Sequence, residues 1–143
     1  MVEQYKKILV AVDGSEQSYD ALHEAVEIAQ VNQSHLKILY VLNDKLANIP
    51  VRVDTMTLYK SVQEHSDYVV EQVQKALVDI ELNFEIVRLT GSPKREIVNF
   101  AKENNIDLVV LGSTGLDAID RFILGSTTQY IVSHAPCNVM VVK

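Results

Sequence analysis

Two short runs in this chain leave no face for water. Ile8-Leu-Val-Ala-Val12 is apolar throughout, and so is the stretch from Leu108 to Leu111 that follows Asp107. A strand with one wet face alternates apolar and polar residues; a strand apolar at every position must be covered on both sides. Such strands belong to parallel sheets, whose crossovers place helices on both faces. Each run ends in a turn. The first stops at Asp13-Gly14-Ser15, and the second, read as a strand from Asp107 to Leu111, stops at Gly112.

The rest of the chain supplies the crossovers. From Ser15, an N-cap residue, to about Val31, Leu22, Ala25, Ile28 and Ala29 recur at helical spacing. Leu36 to Leu42 reads as a second buried strand. Asn43 to about Thr57 shows no period and reads as a surface loop beside the strand ends. Leu58, Val62, His65, Val69, Val73, Ala76 and Ile80 then step by three or four, predicting a long amphipathic helix with His65 packed rather than ligating. Phe84 to Leu89 is a third strand, and its Glu85 and Arg88 suit an edge. Ser92 as N-cap and Pro93 at the first helical position open a helix that ends at Asn104-Asn105. A helix from Ser126 to His134 and a strand from Val139 to Val142 finish the chain. The order βαβαβαβαβ predicts an α/β fold: an open, doubly wound, parallel five-stranded sheet with helices on both faces. With strands 1 and 4 as central neighbours the order is 3-2-1-4-5, and Asp13 and the glycine-rich stretch face each other across one crevice.

Composition narrows the function. At 143 residues the expectation is one domain, 1–143. The net charge of −6 argues against nucleic acid, and it means that a polyphosphate would need local donors or a divalent metal. The single cysteine, Cys137, permits no intrachain disulfide and reads as a structural thiol. No apolar segment is long enough to span a membrane, and the start of the chain lacks a signal peptide's apolar run, so a cytoplasmic protein is expected. The four histidines make no metal-binding spacing.

The glycine-rich stretch carries the chemistry. Gly112, Gly115 and Gly125 are three of five glycines in the chain, and they lie between a strand and a helix start. Glycine admits a ligand close to the backbone, and a helix start offers unpaired N–H groups and partial positive charge, which suits phosphate. Thr128 is expected to help cap that helix. Arg121, inside the stretch, either touches phosphate or is a solvated charge. Asp13 either bonds its own turn or accepts hydrogen bonds from ribose hydroxyls; opposite a glycine loop, the second role is favoured.

Gly112-x-x-Gly115, nine residues, then Gly125-Ser126-Thr127 resembles the G-2x-G-9x-G-(S/T) signature of the ATP-binding branch of the universal stress protein family. Lys7 to Ser15 resembles that family's first strand and turn, and Ala135 to Val142 its last strand. The resemblance implies an adenine-nucleotide α-hydrolase-like fold with the same strand order. It implies nucleotide contacts at Ala11, Val12, Asp13, Val41, Gly112, Ser113, Gly115, Gly125, Ser126 and Thr127, with Val41 offering backbone groups to adenine. The expected cofactors are ATP and Mg²⁺, the metal held through phosphates rather than by a protein cage. The expected function is an ATP-binding regulatory module of the stress response with little or no hydrolysis. The alternatives are a slow phosphoryl- or adenylyl-transferring enzyme and a nucleotide-free interaction protein. No Walker lysine or positioned base is visible, and no HIGH-like or SGGxDS motif follows the first strand, which counts against the enzyme; the complete glycine signature counts against the nucleotide-free reading. Val139, Met140, Val141 and Val142, apolar at four consecutive positions of an edge strand, predict a homodimer through the last strand, as the resemblance also implies.

Overall fold

The computed structural model describes residues 5–44, 55–114 and 123–143, the side chains of 55–59 excepted. Strands and helices alternate: β1 Lys7–Ala11, α1 Glu16–Asn32, β2 His35–Asn43, α2 Thr55–Leu77, β3 Asn83–Gly91, α3 Pro93–Glu103, β4 Leu108–Gly112, α4 Ser126–His134 and β5 Asn138–Val142. The strands form one parallel sheet in the order β3-β2-β1-β4-β5. This is the expected topology.

Successive residues of each central strand point to opposite sides, and each side has its own core. Ile8 and Val10 of β1, Leu36, Ile38 and Tyr40 of β2, and Leu108 and Val110 of β4 pack with Ala21, Leu22, Ala25 and Ala29 of α1 and Val69, Val73 and Leu77 of α2. Leu9, Leu39, Val109 and Leu111 pack on the other side with Ile97, Val98 and Ala101 of α3 and Ile131 of α4. The first and fourth strands therefore need apolar residues at every position. Each large side chain buried this way contributes about 1.5–3 kcal/mol.

Element ends differ from expectation in instructive ways. β1 closes at Ala11, although the Val12 N–H still bonds Leu39 O at 3.0 Å. α2 runs Thr55–Leu77 rather than Leu58–Ile80, so the helix starts inside the expected loop, and Ile80 is reached by a turn, its N–H on Leu77 O. Residues 45–54 of that loop lie outside the described residues. β3 is longer than expected, Asn83–Gly91, because it follows β2 residue for residue to Asn43. It is an edge, and its charges are paired: Glu85 with Lys37, and Arg88 with Asp67 at 2.6 Å. Ser15 caps α1 as predicted, its hydroxyl accepting the Ser18 N–H at 3.2 Å. Ser92 holds the N-cap position of α3 with Pro93 behind it, but its side chain makes no cap bond.

The amino ends of the strands are tied together. Asp107, expected within the fourth strand, lies just before it; its Oδ2 accepts the Lys6 and Lys7 N–H groups at 3.0 and 2.9 Å. Ser34 Oγ donates to Tyr5 O, and Asn138 Nδ2 donates to Tyr5 Oη at 3.1 Å.

Candidate functional site

At the carboxyl ends the strands part. β1 stops at Ala11, level with Leu39, while β2 continues to Asn43 along β3. From β1 the chain crosses to the α1 side of the sheet; beyond β4 the next described helix, α4, packs on the opposite side. Neighbouring strands whose connections leave in opposite directions open a crevice between their ends, and this is where open α/β sheets bind ligands. Ala11 and Val41 are half-buried and pack toward the α3–α4 side, whereas Val12 is buried toward the α1–α2 side.

Asp13 stands at the head of the turn into α1. Its Oδ1 accepts the Ser15 N–H at 2.8 Å, and its own N–H donates to Ser18 Oγ at 3.3 Å. The turn role is real, but it uses one carboxylate oxygen; Oδ2 has no hydrogen-bond partner among the described residues. Two phenols lie in its field. Burial pushes the Tyr19 hydroxyl above its ordinary pKa, and the nearby Tyr68 and Asp13 add to that. Burial raises Tyr40 as well, followed by Asp13, against a smaller opposing pull from Arg88. Both phenols therefore stay protonated at neutral pH.

Gly112 meets α1, not empty space. A Cβ there would stand 2.9 Å from the backbone carbon and oxygen of Gln17, so the first turn of α1 rests against the end of β4. Nothing in the local sequence signals this contact. Ser113 is buried; its N–H bonds Val142 O at 2.9 Å, and its carbonyl accepts the Gly125 N–H at 2.9 Å. Gly125 is the N-cap of α4, in an extended conformation and without a side-chain cap. Thr128 does not cap the helix as expected. Its Oγ1 donates instead to Gly112 O at 2.9 Å, tying the first turn of α4 to the strand. Ser126 is exposed and Thr127 half-buried. Gly112, Ser113, Gly125, Ser126 and Thr127 are thus brought together, while Gly115 and Arg121 lie outside the described residues.

Two further groups were not singled out by sequence. Among the described residues, Thr114 Oγ1, in a residue only 6% exposed, has no hydrogen-bond partner, and neither has Tyr19 Oη. His65, expected to be packed, is packed, but at the turn itself: its Nε2 lies 3.2 Å from Asp13 O. Among the described residues no cluster of His, Cys, Asp or Glu could hold a metal ion, and no helix is long and apolar enough to cross a membrane. The Cys137 thiol is pushed up in pKa by burial and by Asp107, so it is a poor nucleophile. A groove of about 370 Å³ opens at the opposite end of the sheet, lined by Lys7, His35, Lys37 and Asn104 among others. It faces the carbonyl end of α3, and its Lys37 is already paired with Glu85, so it offers an anion little.

The sequence profile of the universal stress protein family matches residues 4–143. A universal stress protein of Staphylococcus haemolyticus is 34% identical over 145 residues, covering 97% of this chain and 85% of the relative. The structure of the universal stress protein UspA from Lactobacillus plantarum superposes with a TM-score of 0.86 at 35% identity, covering 99% of this chain and all of that one. A family protein of Arabidopsis thaliana with AMP bound shares the fold at 23% identity, TM-score 0.70, over 96% of this chain and 91% of its own. At 20% and 21% identity and the same TM-score of 0.70, universal stress proteins in complex with dAMP, from Archaeoglobus fulgidus, and with cAMP share it over 99% of this chain. By sequence and by fold, this chain belongs to the universal stress protein family.

Proposed function

We propose that the crevice between β1 and β4 binds ATP and that the protein, one nucleotide-binding domain over residues 1–143, is a cytoplasmic regulatory module of the stress response. The observation that carries this reading is the first turn of α4. One of its hydroxyls, Thr128, is spent on the strand, its cap position is a glycine, and among the described residues no side chain caps its leading N–H groups. Uncapped N–H groups at a helix start, at a switch point, favour phosphate. Asp13 Oδ2, on the other side of the crevice and without a hydrogen-bond partner among the described residues, suits a ribose hydroxyl. Relatives of the same fold hold AMP, dAMP and cAMP. The complete Gly112, Gly115, Gly125 spacing supports a triphosphate and the ATP-binding branch of the family.

Mg²⁺ would be held by phosphate oxygens, which fits the lack of a metal-binding cluster among the described residues. The chain's own part is to orient the nucleotide, with backbone N–H groups at the phosphates and backbone groups near Val41 at the base. Hydrolysis would be slow, since among the described residues no side chain stands as a positioned base.

Calorimetry with ATP is the test. Gly115→Val should weaken binding by tenfold or more, about 1.4 kcal/mol per factor of ten. Equal affinity for the variant and the parent overturns the site. Phosphate release at about 1–10³ per second would overturn the regulatory reading in favour of an enzyme.

The same reading includes a homodimer through β5. This strand is a sheet edge, and Met140 within it is 38% exposed. Met140→Asp should shift sedimentation from about twice 16.0 kDa toward the monomer. A parent protein that sediments as a monomer at micromolar concentration removes the dimer.

A further inference from the structure

His65 sits in the middle of α2, 52 residues from Asp13 in sequence, yet its Nε2 is 3.2 Å from Asp13 O. A carbonyl oxygen only accepts, so Nε2 carries the proton and donates. The ring also lies on the next residue of the turn. A Cβ on Gly14 would stand 3.0 Å from His65 Cε1 and 3.2 Å from Nε2. Gly14 has φ +93°, so two independent constraints require glycine there: a left-handed backbone and an imidazole pressed against it. The imidazole also neighbours the Tyr40 ring, with centroids 6.3 Å apart and planes tilted by 56°. Tyr40 is itself buried in the core between sheet and α2.

The polar groups of Asp13 are then nearly all committed. Its N–H is taken by Ser18, its Oδ1 by the Ser15 N–H, and its carbonyl by His65. The first two bonds are local to α1. The third is the only one of these that reaches the turn from another element. Without it the turn's hydrogen bonds stay within the six consecutive residues 13–18. With it the turn is clamped between α1 and α2.

We propose that His65 is a positioning residue of the nucleotide site: by holding the Asp13 carbonyl from α2, it fixes the direction of the Asp13 carboxylate, whose Oδ2, unpartnered among the described residues, meets the ribose. This rests on the nucleotide reading above. His65 does not touch the nucleotide; it acts through Asp13. The donor is needed, not merely the ring's bulk, and glutamine, whose amide N–H reaches about as far as Nε2, can replace it.

Three measurements on the full-length protein decide the matter. The ¹⁵N shifts of the His65 imidazole should report the Nε2–H tautomer, and an Nδ1–H tautomer contradicts the bond. In His65→Leu, the Ser15 amide, which reports the Asp13 Oδ1 bond, should exchange with solvent about tenfold faster, and in His65→Gln it should stay near the parent rate. ATP affinity should follow the same pattern, about tenfold weaker in His65→Leu and within twofold in His65→Gln. If affinity and melting temperature fall together in both variants, His65 is only a packing residue and the proposal fails. If the parent binds no adenine nucleotide, the proposed function fails by itself. The Ser15 exchange then still tests the clamp, because unchanged exchange in His65→Leu refutes it.

Discussion

The first turns of α1 and α4 arrive at the same end of the sheet, and they treat their orphan N–H groups in opposite ways. At α1 the chain satisfies itself. Ser15 Oγ accepts the Ser18 N–H, Asp13 Oδ1 accepts the Ser15 N–H, and Ser18 Oγ donates to Ser15 O. At α4 a glycine holds the cap position, and the hydroxyl of Thr128 turns away to the strand carbonyl of Gly112. Side-chain caps are worth about 1 kcal/mol each, so leaving one out has a cost that a ligand can recover. The self-contained turn supplies a fixed carboxylate; the open one supplies donors. Gly112 joins them: it lies against Gln17 of α1, and its carbonyl accepts the Thr128 hydroxyl of α4.

The contrast can be broken at three points. Gly112→Val has the largest expected effect, because the new side chain collides with backbone atoms of α1 that have nowhere to go. Overpacking of this kind should cost about 3 kcal/mol, read as a lowered denaturant midpoint at unchanged slope. Gly125→Asp should make α4 resemble α1. The extended backbone at 125 accepts any residue, so the carboxylate should cap the helix and raise stability by a few tenths of a kcal/mol. The same charge should repel phosphate and weaken ATP by about thirtyfold, near 2 kcal/mol. Unchanged ATP affinity would mean that the open turn is not the phosphate site. Ser15→Ala, the smallest, should lower stability by about 1 kcal/mol and leave ATP affinity within about twofold, since this cap faces its own helix. A large loss of affinity there would show that the two turns are less separate than their hydrogen bonds suggest.

The architecture was legible because its signals are local and repeated. Ile8–Val12 and Leu108–Leu111 are apolar throughout since each has two cores to face, and the helical stripes of α1 and α2 name their buried sides directly. Glu85 and Arg88 marked the edge because only an edge tolerates them. The site was legible as a spacing of glycines, but the reason for each glycine was not. Gly112 answers to Gln17 and Gly14 to His65, contacts between residues far apart in sequence that leave no periodic trace. Thr128 was misread for the same reason: a threonine in a first turn suits a cap equally well, and only the fold shows that Gly112 O is within its reach. His65 fell on an apolar stripe, where its ring looked sufficient and its donor went unread.

The stitching at the other end of the sheet has a mechanical consequence. One carboxylate oxygen of Asp107 holds the start of β1 to the start of β4, and Tyr5 draws in Ser34 and Asn138 on either side. The two central strands are five residues each, levers of about 16 Å with a pinned fulcrum. The strands also pair side by side from Ile8 and Leu108 to Val10 and Val110, so a few degrees of added twist at the tied base would appear as about 1 Å at the far ends. A loosened Asp107 would therefore be felt at the crevice, at the opposite end of the sheet.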